Sequence, residues 1–123
     1  MYDVILKSKD IIHKQSQLLL ESNQNHLPVS QQNAIERISR YASQLAITAQ
    51  QIGITHDQEI ILRHEMINIL TPIVGYTEML ADGWVGHLNP DQMQHIELIQ
   101  HAVGMMRQSI LAYRKQSPLS ESA

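Results

Sequence analysis

Apolar residues recur along this chain at alternating steps of three and four, and this spacing limits the folds that the chain can adopt. The repeat is nearly ideal in three stretches: Ile35, Ile38, Ala42, Leu45, Ala49 and Ile52; Leu62, Met66, Ile69, Ile73, Tyr76 and Leu80; Ile96, Ile99, Val103, Met106, Ile110 and Tyr113. Such a seam follows one side of an α-helix and faces a partner helix in a bundle. No strand-like alternation of apolar and polar residues competes with this helical repeat. The sequence predicts an all-α fold.

A fourth, weaker pattern occupies the beginning of the chain. Val4, Ile11 and Leu18 keep a seven-residue period, and each has an apolar neighbour in Ile5, Ile12 and Leu19. The intervening seam positions, Ser8 and Gln15, are polar. We expect a helix here with an interrupted apolar seam.

Breaks in the pattern separate four helical stretches and carry start signals. They fall near residues 25–28, 53–55 and 82–90. Ser30 is predicted to cap a helix that begins at Gln31, whereas two pairs have the spacing of a capping box: Thr55 with Gln58, and Asn89 with Gln92 before Pro90.

These boundaries predict how the 123 residues are organised. Residues 1–55 form an N-terminal segment of two helices, residues 56–116 form a helical hairpin, and residues 117–123 form a disordered tail. Hairpins of this kind complete a core when four helices surround it, and one chain or two chains could supply the four. We expect a four-helix bundle, with homodimerization as the first choice.

Composition excludes several classes of function. The net charge is −3 with scattered Lys and Arg, so there is no basic stripe for nucleic acid. The absence of cysteine fits a reducing compartment, and we expect a cytoplasmic protein. We see no signal-peptide layout and no apolar run of membrane length. The seven histidines include no pair at the i, i+4 spacing that holds a metal on one helix face, so no metal site is expected.

A polar cluster is predicted on the side of the third helix that faces away from its apolar seam. At about 100° per residue, His64 points outward, and Glu65, Asn68, Thr71 and Gly75 fall on the same side. A neutral exposed imidazole is a competent nucleophile, a carboxylate can accept its proton, and an amide can position water. Gly75 would leave room for an incoming domain.

The run from Arg63 to Leu80 resembles the phosphoacceptor box of sensor histidine kinases. In that box His-Glu is followed by a hydrophobic residue, a basic residue, Thr or Asn, Pro, Leu, and later Ile-x-Gly-aromatic. The residues in register are His64, Glu65, Asn68, Leu70, Ile73, Gly75, Tyr76 and Glu78. The resemblance continues through the hairpin and covers roughly residues 59–115.

The resemblance implies a dimerization and phosphoacceptor hairpin in two-component signal transduction. His64 would exchange phosphate with a receiver-domain aspartate, Glu65 would assist, and Asn68 would support dephosphorylation of the receiver. Thr71, Gly75 and Trp84 are candidate partner-binding residues, although Trp84 could instead cover the end of the bundle. The partner would be a response-regulator receiver domain or a histidine kinase. No cofactor is expected on this chain, and Mg²⁺ would belong to the receiver.

The chain also departs from the family pattern. Ile67 replaces the usual basic residue and Ile69 the usual helix-bending proline, while Pro72 lies three residues later. We expect a straighter helix above His64 for this reason. No Asn-rich or Gly-rich box of an ATP-binding domain is present, so the chain alone is not expected to be an ATP-dependent kinase.

These departures leave two other hypotheses open. One is a non-catalytic adaptor or inhibitor that binds a kinase or receiver through a degenerate hairpin. The other is an unrelated bundle with an accidental match, in which His64 would tolerate any polar substitution.

Overall fold

The computed structural model describes residues 1–21, 27–52 and 59–115, and these residues form four α-helices with no strand among them. The helices are α1 (Tyr2–Glu21), α2 (Val29–Ile52), α3 (Glu59–Ala81) and α4 (Pro90–Lys115). The all-α prediction is confirmed. The predicted capping box of Thr55 and Gln58 and the predicted tail at 117–123 lie outside the described residues.

Each helix packs against two neighbours, and the four close a ring. α1 contacts α2 and α4, and α3 contacts α2 and α4. The closest packing joins the two hairpins to each other, through α2 with α3 and α1 with α4. A single chain therefore supplies the four helices that the bundle needs, which answers the question that the sequence leaves open.

The core is aliphatic, and the predicted seams of α2 and α4 lie in it. Ile35, Ile38, Ala42, Leu45 and Ala49 are buried on α2. On α4 the buried seam residues are Ile96, Ile99, Val103, Met106 and Ile110. The side chains of Ile52 and Tyr113, which end these seams, lie outside the described part of the structure.

The predicted seam of α3 is wrong at two positions. Leu70 and Thr77 are buried, whereas the neighbouring Ile69 and Tyr76 are only partly buried. Thr77 tolerates burial because its hydroxyl donates a hydrogen bond to the Ile73 carbonyl at 2.6 Å. Tyr76 lies at the edge of the core, where its hydroxyl accepts a 2.7 Å bond from Nη1 of Arg37 on α2.

The apolar seam of α1 also differs from the prediction. Ile5, Ile12 and Leu19 are buried, while Leu18 is exposed. The gaps between the buried residues are filled by Ser8 and Ser16 rather than by Gln15. Serine is small enough to lie in a helix interface, so α1 has a continuous buried stripe despite its polar sequence. The hydroxyls of Ser8 and Ser16 have no hydrogen-bond partner in the described structure.

The start of α4 confirms the predicted capping box. The side-chain oxygen of Asn89 accepts a 2.8 Å hydrogen bond from the backbone N–H of Gln92. The side-chain oxygen of Gln92 accepts a 2.9 Å hydrogen bond from the backbone N–H of Asn89. Pro90 is the first helical residue. These reciprocal bonds define the boundary between the hairpin loop and α4.

The predicted cap at Ser30 is wrong, because α2 begins at Val29 and Ser30 lies within its first turn. The Ser30 hydroxyl instead donates to the Val85 carbonyl in the α3–α4 loop, at 3.4 Å. Beside it, Nε2 of the buried Gln31 donates to the His87 carbonyl at 3.3 Å. The start of α2 is thus attached to the loop of the other hairpin.

Gly86 in this loop is held in a conformation that other residues rarely adopt. Its φ is +124°, and a Cβ added there would lie 2.8 Å from Nε2 of Gln31. The φ requires glycine at this position, and a Cβ would also displace the Gln31 side chain that bonds to the His87 carbonyl.

We predict that Gly86→Ala lowers the free energy of unfolding by about 2 kcal/mol, because it combines an unfavourable φ with a close approach to Gln31. Gly104→Ala is the matched control. A Cβ at this helical position meets nothing within 4 Å, so we expect it to stabilise by about 0.5–1 kcal/mol. Urea unfolding of the two variants measures both effects. Equal effects would contradict the role of Gly86.

A polar bridge joins the helices of the first hairpin. The partly buried His13 on α1 is hydrogen-bonded to α2 at both ring nitrogens, with Nδ1 2.6 Å from Ser39 Oγ and Nε2 2.7 Å from Ser43 Oγ, and in a neutral ring one nitrogen donates while the other accepts. Burial lowers the pKa of His13 below its usual 6.5; the nearby charge of Lys9 lowers the pKa further, and Asp10 opposes the shift. The fold therefore favours a neutral imidazole.

The lowered pKa predicts a pH dependence of stability. Below about pH 6.5 the unfolded chain binds a proton at His13 more readily than the folded chain does, so this contribution to stability is lost as the pH falls through the folded pKa. We expect the Tm to fall between pH 7.5 and pH 5 less steeply in His13→Gln than in wild type. His101→Gln, at an exposed position on α4, is the control and should retain the wild-type slope.

Candidate functional site

The polar cluster predicted on α3 lies on the outside of the bundle. His64, Glu65, Asn68 and Thr71 are exposed, and Gly75 is partly exposed. We call these five residues the outer stripe. His64, Asn68, Thr71 and Gly75 follow one another at steps of four, three and four, so they form a line of roughly 16 Å along the helix.

The outer stripe is exposed because the opposite side of α3 is held in the core. Leu62, Met66, Leu70 and Ile73 are buried there. Rotating α3 to hide His64 would bring these side chains into water, which costs about 1.5–3 kcal/mol for each. The packing of α3 therefore fixes the imidazole on the surface.

Three local features distinguish the part of α3 from Thr71 to Gly75. The Thr71 hydroxyl donates to the Ile67 carbonyl at 2.9 Å, so its hydrogen is directed along the helix. Pro72 lies inside α3 and has no amide hydrogen to donate to the Asn68 carbonyl. A Cβ at Gly75 would meet nothing within 4 Å, which agrees with the expected open space beside it.

Apolar residues surround His64, and the sequence interpretation does not find this feature. A shallow cavity of about 200 Å³ is lined by Ile60, Arg63, His64 and Ile67. Ile60 is 47% exposed and the neighbouring Ile61 is 60% exposed. We call Ile60, Ile61 and Ile67 the apolar platform. The signal is the run Ile60-Ile61-Leu62, because three successive helical residues point in three directions and only Leu62 is buried.

Trp84 is not part of this site. It lies in the α3–α4 loop, beyond the far end of α3, and it is separated from His64 by roughly 25–30 Å of helix and turn. Its indole is 79% exposed. Trp84 therefore does not cover the end of the core, and any partner contact that it makes is distant from His64.

Neither a metal-binding cluster nor a membrane-spanning helix occurs in the part of the chain that the structure describes. Across the described residues, no group of three or more His, Asp or Glu side chains is placed to hold a metal ion. None of the helices at 2–21, 29–52, 59–81 and 90–115 is long and apolar enough to cross a membrane.

The outer stripe combines groups that suit nucleophilic chemistry at a surface. The imidazole of His64 is accessible to a large substrate, Glu65 is its neighbour, and Asn68 lies one turn further along. An exposed nucleophile on a convex surface, without a deep pocket, suits a reaction whose second substrate is itself a folded domain.

Comparison of the chain with protein-family models, with curated proteins and with solved structures finds no match.

The exposure of Trp84, the only tryptophan, predicts a fluorescence result. We expect emission close to that of free tryptophan and acrylamide quenching nearly as efficient in the native protein as in urea. A blue-shifted, protected emission would show that the indole is covered in solution.

Proposed function

We propose that this protein is a histidine-kinase-like phosphoacceptor that acts in cytoplasmic two-component signal transduction. It exchanges phosphate between His64 and the aspartate of a response-regulator receiver domain. The observation that carries the proposal is the exposure of His64, Glu65 and Asn68 together on one side of a bundle helix, in the register of the phosphoacceptor box that the sequence resembles.

The phosphoryl transfer would require little from this chain beyond positioning. A ring nitrogen of neutral His64 attacks phosphorus of the aspartyl phosphate, a bond from nitrogen to phosphorus forms, and the bond to the carboxylate oxygen breaks. The other ring nitrogen releases its proton, and Glu65 is the neighbouring group that can accept it. Charge on the phosphate would be neutralised by Mg²⁺ held by the receiver, and not by residues of this chain. The reverse transfer uses the same groups.

Asn68 would support a second outcome, hydrolysis of the receiver's phosphate. Its amide can hold water beside the docked aspartyl phosphate, one helical turn from the imidazole. This role and the transfer would compete at one docking site.

The apolar platform provides a surface on which the receiver can dock. Ile60 and Ile61 are exposed directly before His64, and Ile67 follows it. Burial of this patch would supply binding energy next to the reacting atoms while Thr71 and Gly75 contact the receiver further along α3. The bundle that one chain forms is sufficient for this docking, so the homodimer expected from the sequence is not required.

The second candidate function is a non-catalytic adaptor or inhibitor that binds a receiver or kinase. The position of Ile67 favours it, because the residue that replaces the family's basic side chain lines an apolar cavity. Such a surface can bind a partner without any transfer of phosphate.

Phosphoryl transfer from a panel of purified receiver domains, phosphorylated with labelled acetyl phosphate, tests the proposal. We expect acid-labile label on the wild-type protein and none on His64→Ala, while His101→Ala, an exposed histidine on α4, keeps wild-type labelling. Glu65→Gln should slow labelling by about 10²-fold if the carboxylate accepts the proton. Asn68→Ala should retain labelling and lose receiver dephosphorylation.

The alternatives give different results. If the wild-type protein binds a receiver but acquires no label, the adaptor function replaces phosphoryl transfer as the proposal. Ile61→Asp should then abolish the binding. Equal labelling of wild type and His64→Ala would eliminate His64 as the acceptor.

A further inference from the structure

The two hairpins of the bundle correspond at many buried positions, because ten pairs of buried residues are 61 residues apart. α2 begins at Val29 and α4 begins at Pro90, a separation of 61 residues. The same separation relates buried residues of α1 to buried residues of α3: Ile12 to Ile73, Ser16 to Thr77, and Leu19 to Leu80. It also relates buried residues of α2 to those of α4: Gln31 to Gln92, Ile35 to Ile96, and Ile38 to Ile99. Five of these six pairs are identical in sequence.

Helical periodicity alone does not explain this correspondence. Sixty-one residues make about 17 helical turns, so two residues with this separation in one continuous helix would lie on the same side of it. The loops interrupt that phase, however, and the separation survives across them because the step from the last buried residue of the first helix to the start of the second helix is the same in both hairpins, from Leu19 to Val29 and from Leu80 to Pro90. The polar pair Gln31 and Gln92 is buried at the start of the second helix in both hairpins.

The polar contacts between the hairpins join corresponding pairs of helices, although the counterpart of His95 is Ala34 and not Arg37. Gln15 on α1 reaches across to α4, where its Oε1 lies 2.6 Å from Nδ1 of His95. Its counterpart Tyr76 on α3 reaches across to Arg37 on α2. Each first helix thus packs against the second helix of the other hairpin, as in a two-fold dimer of hairpins.

The two halves differ at the places that matter for function. The counterparts of His64, Glu65 and Asn68 in α1 are Asp3, Val4 and Lys7, so the reactive set occurs once.

The His13 bridge also occurs once. The counterparts of His13, Ser39 and Ser43 are Val74, Gln100 and Gly104. These three residues line an open cavity of about 160 Å³ between α3 and α4. The space that an imidazole fills in the first hairpin is therefore empty in the second.

We infer that the chain is a duplicated helical hairpin, a single-chain counterpart of a dimer of hairpins, in which only the second half presents a docking face. The first half occupies the surface through which two hairpins would otherwise pair. The protein is a monomer, and one receiver domain binds each chain on the α3 side, a statement that rests on the proposed function.

Solution mass and binding stoichiometry test the assembly. Sedimentation equilibrium should give the 14.0 kDa of one chain, and titration with a receiver that transfers phosphate should saturate at one per chain. A stable two-chain species would overturn the inference. If no receiver binds, the proposed function fails, whereas the monomer mass and the test of the duplication remain.

Transplantation of the His13 bridge tests the duplication without any partner. The variants are Val74→His, the double substitution Gln100→Ser and Gly104→Ser, and the triple combination, compared at pH 8, where imidazole is neutral. If the positions are equivalent, the Tm shift of the triple variant should exceed the sum of the shifts of the single and the double variant by about 4 °C, because the three side chains form one bridge. Additive shifts would show that the cavity is not the counterpart of the bridge, and they would overturn the duplication.

Discussion

The packing of one hairpin against the other is the interaction on which the rest of the structure depends. A two-helix hairpin exposes an apolar side that cannot be stable in water, and here the aliphatic sides of two hairpins bury each other through α2 with α3 and α1 with α4. Every other feature follows from this contact. The core is completed within one chain, the start of α2 reaches the α3–α4 loop, and α3 has one side left for solvent.

Much of the fold could be predicted from the sequence because helix periodicity and capping are local signals. The seams of α2 and α4 and the reciprocal bonds of Asn89 and Gln92 are correct for that reason. The errors occur where a neighbouring helix decides between adjacent residues. Thr77 is buried instead of Tyr76 because its hydroxyl bonds to its own helix, and α1 hides two serines because small residues suit a close interface. Ser30 is used by a loop 55 residues away, which no local pattern reveals.

Some features of the candidate site could be predicted from the sequence and others could not. The exposure of His64, Glu65, Asn68 and Thr71 follows from their angle to the apolar seam, and the structure agrees. The apolar platform does not follow, because a helical run of isoleucines reads as core until the neighbouring helices are placed. The correspondence of the two hairpins is also hard to find in the sequence. Five of its ten buried pairs are identical, but the correspondence becomes clear only when helix starts and buried positions are compared.

The two ends of the bundle differ in what they bring together. The start of α2 and the α3–α4 loop lie at one end, where Ser30 and Gln31 contact residues of that loop. At the other end the Ser109 hydroxyl donates to the Met1 carbonyl, so the start of α1 lies beside the last turns of α4. His64, near the start of α3, belongs to this second end. A domain fused through a short flexible linker to the start of α1 or the end of α4 would therefore be held at the same end of the bundle as the imidazole, at an effective concentration on the order of millimolar, and even a weak partner could then occupy the site.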